Sequence, residues 1–221
     1  PIANVDLIVL VASVRRPKPS LLMLDRVALA AEHKDAQIMI CINKTDLAKP
    51  GELEALAEHY KNAYLTRFIC AKDGQGIEAL KNDLRGKRAA LTGPSGAGKS
   101  TLINLLLGEH ASVTGEISAK LQRGRNTTRH CELFRGDGFY LFDTPGYTSF
   151  ENQGIDSAAL AGYFPDFAPY MGRCRFDDCR HMSEPECAVR EAAEKGLIQA
   201  DRYSSYKEIY ASLLEAEANR Y

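Results

Sequence analysis

The stretch AALTGPSGAGKSTLINLLL, Ala89–Leu107, holds G-x-x-x-x-G-K-[ST] in full between Gly93 and Ser100. A short apolar run of strand character precedes the motif and an apolar, helix-forming run follows it, which are the flanks the motif needs. Glycines let backbone N–H groups turn inward around phosphates at a helix N-terminus, while the lysine reaches the outer phosphates and the serine hydroxyl ligates Mg²⁺. Gly93-Pro94-Ser95-Gly96-Ala97-Gly98-Lys99-Ser100, with Thr101 behind it, is therefore the expected phosphate site.

Outward from this loop, apolar runs of strand length alternate with helical spacing, the signature of an α/β fold with a largely parallel sheet. Strands are expected at Leu7–Ala12, Gln37–Ile42, Leu65–Ile69 and Arg88–Leu91, and helices at Ser20–Glu32, Glu52–Lys61, Gly76–Leu84 and Lys99–Leu107. Gly108 to His130 is polar, Gly-punctuated and basic, and reads as a mobile loop. Cys131–Phe134 and Phe139–Phe142, joined by Gly136-Asp137-Gly138, read as a β-hairpin. Beyond Gly146 the strand pattern stops and the remainder reads as helical, apart from a Cys/His-rich segment at 174–187. A boundary near residue 155 would divide the chain into a domain over 1–155 and a smaller one over 156–221.

A phosphate loop does not choose its base. The tetrapeptide NKTD, Asn43–Asp46, can do so, because the Asp46 carboxylate accepts two hydrogen bonds from guanine N1–H and the 2-amino group. The Lys44 stem can cover the ring, and Asn43 can tie its loop to the phosphate loop. Buried hydrogen bonds reject a base that leaves them unpaired, so discrimination against adenine is large. N-x-x-D after a strand is also a plausible helix cap, but Cys70-Ala71-Lys72 follows the next strand as a short loop able to offer a backbone N–H to the guanine oxygen. Two base-side elements in the right mutual order favour a real base site. Base site first and phosphate site second is the order of a circularly permuted GTPase, in which the sheet can stay unchanged.

Asp143-Thr144-Pro145-Gly146 ends the second hairpin strand. Read alone it is an ordinary turn; beside a phosphate loop, Asp143 can hold Mg²⁺ through water and the Gly146 N–H can meet the γ-phosphate. Thr128, with Thr127 as the alternative, is the expected loop threonine that ligates Mg²⁺ only when the γ-phosphate is present. The segment after Asp143-Thr144-Pro145-Gly146 also forms the tether to the C-terminal part, so hydrolysis is expected to shift that part.

Cys174, Cys179, His181 and Cys187 follow the spacing C-x4-C-x-H-x5-C. Three thiolates and an imidazole suit tetrahedral Zn²⁺, and four ligands leave no open position, so the site should be structural. The other cysteines, Cys41, Cys70 and Cys131, sit in or beside apolar strand-like runs, where a thiol acts as a small hydrophobe. A disulfide is disfavoured in a chain with no secretory leader pattern.

NKTD, CAK, GPSGAGKSTLIN, GRNTTRH, DTPG, the Cys/His spacing with EPECAVREA and the closing RYSSYKEIY together resemble the RsgA (YjeQ/EngC) family, over nearly the whole chain. The resemblance implies a GTPase that docks on the small ribosomal subunit and its rRNA late in assembly, is stimulated by it and leaves after hydrolysis. It also implies an N-terminal OB-fold, which this stretch, opening at Pro1, lacks. One departure touches mechanism: the family usually places a proposed catalytic His before the threonine pair, and here Asn126 stands there. Tyr147 follows Gly146, so the water-orienting Gln of Ras-like proteins is absent at that place. The expected catalytic set is accordingly Thr128, Gly146, Lys99 and Asn126, with slow intrinsic hydrolysis.

The 221 residues carry 28 basic and 29 acidic side chains, a net charge of -1, which gives no global field for a polyanion. RNA contact must come from local patches: Lys120, Arg123, Arg125, Arg129 and His130 without an acid, or Arg173, Arg175 and Arg180, diluted by Asp177 and Asp178. No apolar run nears the roughly 18 residues that cross a bilayer. A cytoplasmic monomer is expected. The competing reading is a GTP-gated RNA-binding module in which hydrolysis is incidental; an ATP-using P-loop kinase is disfavoured by NKTD.

Overall fold

The structure is a computed structural model that describes residues 5–108, 112–113, 132–143 and 154–219. Its elements are β1 (Leu7–Ser13), α1 (Leu21–Glu32), β2 (Gln37–Asn43), α2 (Glu52–Tyr60), β3 (Leu65–Phe68), α3 (Ile77–Leu84), β4 (Arg88–Thr92), α4 (Lys99–Leu107), β5 (Ser112–Val113), β6 (Glu132–Arg135), β7 (Tyr140–Asp143), α5 (Ala188–Glu194) and α6 (Ala200–Ala218). Short 3-10 turns occupy Thr45–Leu47, Ser157–Tyr163 and Pro165–Phe167. None of the described helices is long and apolar enough to cross a membrane.

The seven strands lie in the order β3-β2-β1-β4-β7-β6-β5. The first five are parallel, and β6 and β5 run antiparallel at the edge. Strand periodicity sends alternate side chains to opposite faces. Leu7, Val9 and Val11 of β1 pack with α3 and α4, whereas Leu10 and Ala12 pack with α1 and α2. From β1 the chain steps outward through β2 to β3, then returns through α3 to β4 on the other side of β1. Neighbouring strands whose crossovers leave in opposite directions open a crevice at their carboxyl ends. That switch point lies between β1 and β4, so the loops after β1, β2, β3, β4 and β7 share one edge of the sheet.

Two local details differ from expectation. The hairpin strands are shifted one residue toward the C-terminus, because Phe139 folds into the turn: Gly136 N–H donates to the Phe139 carbonyl at 2.9 Å, and a Cβ on Gly136 would meet the Phe139 ring at 2.4 Å. Ser112–Val113, within the expected loop, pairs antiparallel with β6 as a two-residue strand, too short to leave a periodic signal.

The C-terminal part is built on α1. Leu29 of α1 lies in one buried cluster with Leu160, Phe164, Phe167, Val189, Ile209 and Leu213. Arg202 of α6, only 1% exposed, locks the contact: Nη1 donates to Asp25 Oδ1 of α1 at 2.7 Å and Nη2 to Asp166 Oδ1 at 2.7 Å. Its guanidinium also lies 4.7 Å from the centroid of the Phe164 ring. Burial alone would raise the Asp25 carboxyl; the nearby His59 imidazole and the Arg202 charge outweigh it and leave that group below its usual range. Removing one partner of a buried pair strands the other. Arg202→Ala should therefore lower the unfolding free energy by about 3–5 kcal/mol in urea denaturation, and a loss under about 1 kcal/mol would show that the buried carboxylates do not depend on it.

Candidate nucleotide site and metal centre

The phosphate loop leaves β4 with Gly93 at φ +139°, where a Cβ would lie 2.0 Å from the Val11 carbonyl oxygen of β1. Only glycine permits that approach. Gly98, at φ +97°, begins α4, and its Cβ would stand 2.3 Å from Asn43 Nδ2. Lys99 folds back over the loop: Nζ donates to the Gly93 carbonyl at 2.6 Å and the Pro94 carbonyl at 2.9 Å. Burial pushes its ammonium below the usual lysine range, and the Asp143 charge recovers only part of that. A second anion beside Lys99 would favour its charged form further. Asp143 ends β7 opposite Leu91 of β4, so its carboxylate belongs to the same edge as Ser100 at the start of α4.

Asn43, 2% exposed at the end of β2, organises the base side. Its Nδ2 donates to the Ala97 carbonyl at 2.9 Å, while its Oδ1 accepts from Lys44 N–H at 2.7 Å and Ala71 N–H at 3.0 Å. One side chain thus joins the phosphate loop, NKTD and CAK. Within the Cys70-Ala71-Lys72 loop, the Ala71 N–H is the one that Asn43 engages. Lys44, left-handed at φ 61°, spans two loops through Nζ, which donates to the Gly96 carbonyl at 2.7 Å and the Arg16 carbonyl at 2.5 Å. The Asp46 carboxylate accepts from the Cys70 thiol at 3.4 Å, and Lys72 Nζ stands 3.9 Å away. The Val14–Ser20 loop, basic and proline-bearing after β1, comes to this edge through the Arg16 carbonyl, a contact its composition does not announce.

The four metal-type side chains are brought together: the ligand atoms of Cys174, Cys179, His181 and Cys187 all lie within 4.8 Å of one another. His181 Nδ1 is 3.5 Å from Cys174 Sγ and 3.4 Å from Cys187 Sγ, which identifies Nδ1 as the inward nitrogen. Burial pushes the Cys179 thiol up to about 12 and raises Cys187, shifts that a cation at the centre would reverse. The supports around them left no pattern in the spacing. Tyr203 and Tyr206 of α6 donate hydroxyls to the His181 and Arg180 carbonyls at 2.7 and 2.6 Å. Glu184 accepts from the Arg180, Met182 and Ser183 N–H groups. Of the arginines here, Arg175 is paired with Glu186, and Arg180 donates to the Ala158 carbonyl.

A model of the RsgA GTPase family matches residues 1–153. The chain belongs to the RsgA GTPase family. The small ribosomal subunit biogenesis GTPase RsgA of Caldanaerobacter subterraneus subsp. tengcongensis is 40% identical over 223 residues, covering 100% of this chain and 75% of the relative. Its namesake from Clostridium perfringens is 41% identical over 220 residues, covering 99% and 75%. Among solved structures, YjeQ from Thermotoga maritima superposes with a TM-score of 0.81 at 35% identity, covering 96% of this chain and 73% of that one. YloQ, described as a circularly permuted GTPase, gives 0.81 at 31% identity, covering 98% and 70%.

In this RsgA-family chain the permuted order is real, and the sheet edge reunites what the order separates. Asn126, Thr127, Thr128, Gly146 and Tyr147 lie outside the described residues, as do Lys120, Arg123, Arg125, Arg129 and His130. The dependence on Asn43 is testable. Asn43→Ala leaves the Ala97 carbonyl and the Ala71 N–H unpaired, at about 1–3 kcal/mol for each buried group. Its denaturation midpoint should fall accordingly, and Gly98→Ala, which crowds Nδ2, should fall with it. A wild-type midpoint for both variants would show that the loops are held by other contacts.

Proposed function

We propose that this chain is a GTP-hydrolysing switch that acts in maturation of the small ribosomal subunit, binding the subunit in the GTP state and leaving on hydrolysis. The observation that carries this reading is the Asn43 and Lys44 bridge from NKTD to the phosphate loop, which makes one pocket of a base-selecting and a phosphate-cradling element. The relatives' shared name, small ribosomal subunit biogenesis GTPase, supports the partner. The reading assigns the nucleotide domain to residues 1–155 and the zinc-binding domain to 156–221, and the setting to the cytoplasm as a monomer.

In this reading Asp46 accepts from guanine N1–H and the 2-amino group, and the Lys44 stem covers the ring. Backbone N–H groups of the Gly93–Thr101 stretch, Pro94 excepted, cradle the phosphates. Lys99 exchanges its two loop carbonyls for phosphate oxygens. Ser100, Thr128 and Asp143 would hold Mg²⁺; hydroxyl and carboxylate oxygens at one sheet edge are the hard donors that ion prefers. The ion would neutralise charge on the outer phosphates. Thr128 and the Gly146 N–H would sense the γ-phosphate. The closed Cys3His set fits a structural Zn²⁺ in a segment whose own core is small, and rRNA contact falls to the basic residues of Lys120–His130.

Four measurements test this. Single-turnover GTP hydrolysis should be slow alone and rise at least tenfold with small subunits; an unchanged rate supports the GTP-gated binding module instead. Asn126→His should raise the intrinsic rate if position 126 is catalytic. ATP competing as well as GTP would remove the base assignment. The purified chain should carry one zinc per molecule, and Cys187→Ser or a strong chelator should lower its melting temperature, whereas a metal-free chain of equal stability would sink the structural-zinc reading.

A further inference from the structure

The loop from Val14 to Ser20 has no part in the family motifs, yet it lies beside both NKTD and the phosphate loop. The Val14 N–H donates to the Asn43 carbonyl at 3.0 Å, and Ser13 Oγ donates to the Pro17 carbonyl at 2.9 Å, which curls the loop back on β1. The Arg16 and Gly96 carbonyls share the Lys44 ammonium, so Arg16 and the phosphate loop flank one side chain. A Cβ on Gly96 would touch Pro17 Cδ at 3.5 Å, an ordinary packing distance. The loop therefore lies against the phosphate loop at its middle.

Its two arginines differ. Arg15 is held away by its ion pair with Glu52 of α2. Arg16 is exposed, and among the described residues no carboxylate engages it. Its backbone sits at φ +54°, a region costly for a side chain with a Cβ and one that glycine occupies freely. A strained arginine kept beside the phosphate loop, where glycine would fit better, suggests a use for the guanidinium. Guanidinium groups recognise phosphate through planar, paired donors.

We propose that Arg16 is a further nucleotide-binding residue, whose guanidinium closes the pocket on the β1 side by contacting the polyphosphate of GTP and GDP. The proposal rests on the GTP reading above and adds a residue that none of the motifs contains. It predicts a conflict between stability and binding at one position. Arg16→Gly should relieve the backbone and melt no lower than wild type, yet bind GTP and GDP about tenfold more weakly, a loss typical of one charge-assisted contact. Arg16→Lys should recover part of the affinity, and Lys18→Ala, also exposed in this loop, should stay within about twofold of wild type.

The experiment is fluorescence titration with labelled GTP and GDP, with guanosine as competitor and thermal melting of every variant. Arg16→Gly affinity within about twofold of wild type overturns the proposal. So does an equal loss for guanosine, which would place Arg16 on the base, or an equal loss in Lys18→Ala, which would reduce the effect to a diffuse field. A melting temperature lowered in step with affinity would mean a structural role and overturns it too. Wild-type chain that binds no GTP removes the underlying reading and this one together, whereas tight wild-type binding unaffected by Arg16→Gly removes only this one.

Discussion

Everything at the nucleotide edge depends on one buried carboxamide. The base loop and the phosphate loop are far apart in the chain, with α2, β3, α3 and β4 between them, so nothing covalent sets their spacing. Asn43 does so by hydrogen bonding: one donor to the Ala97 carbonyl and two acceptances, from Lys44 and Ala71. A 2% exposed amide with all these bonds made is rigid, because releasing any one strands a polar group away from water. The same requirement dictates glycine at position 98, where any Cβ would fall on Nδ2. The permuted chain thus keeps a GTPase pocket by placing its alignment in a side chain rather than in chain order.

Local signals were legible where they repeat or where the chemistry is dense. The alternation in Leu7–Val11 told both faces of the sheet, and the phosphate motif told where β4 ends and α4 begins. The Cys/His spacing told the metal cluster. Long-range partners were not legible. Arg202 reads as one more polar residue on an exposed helix, since arginine is seldom fully buried. Nothing in DRYSSYKEIY says that a carboxylate 177 residues earlier is waiting for it. Likewise, the role of Asn43 as a tie could be read from NKTD, but its hold on the Ala71 N–H could not, because that depends on how closely the β3 loop approaches.

Strain follows function in this fold. Among the described residues, five without glycine's freedom have positive φ: Arg16, Asp35, Lys44, His181 and Glu186. Two of them border the nucleotide pocket and two lie in the Cys/His cluster, the places where backbone must be bent to aim particular atoms. The remaining one closes the turn between α1 and β2. The two strained sites are connected through α1 and α6. Helix α1 begins where the Arg16 loop ends, α6 lies across α1, and the α6 tyrosines hold the carbonyls of the cluster.

The pairing of Arg202 with Asp25 sets an order of events during synthesis. Helix α1 is made well before its partner α6, which follows every described strand of the sheet. Until α6 emerges, the cluster around Leu29 of α1 lacks Tyr206, Ile209 and Leu213, and Asp25 is without its guanidinium. A chain that stops short of residue 202 therefore has a complete sheet and an open flank, the kind of surface that proteases and chaperones survey. Helix α6 thus marks the point in synthesis at which that flank is hidden.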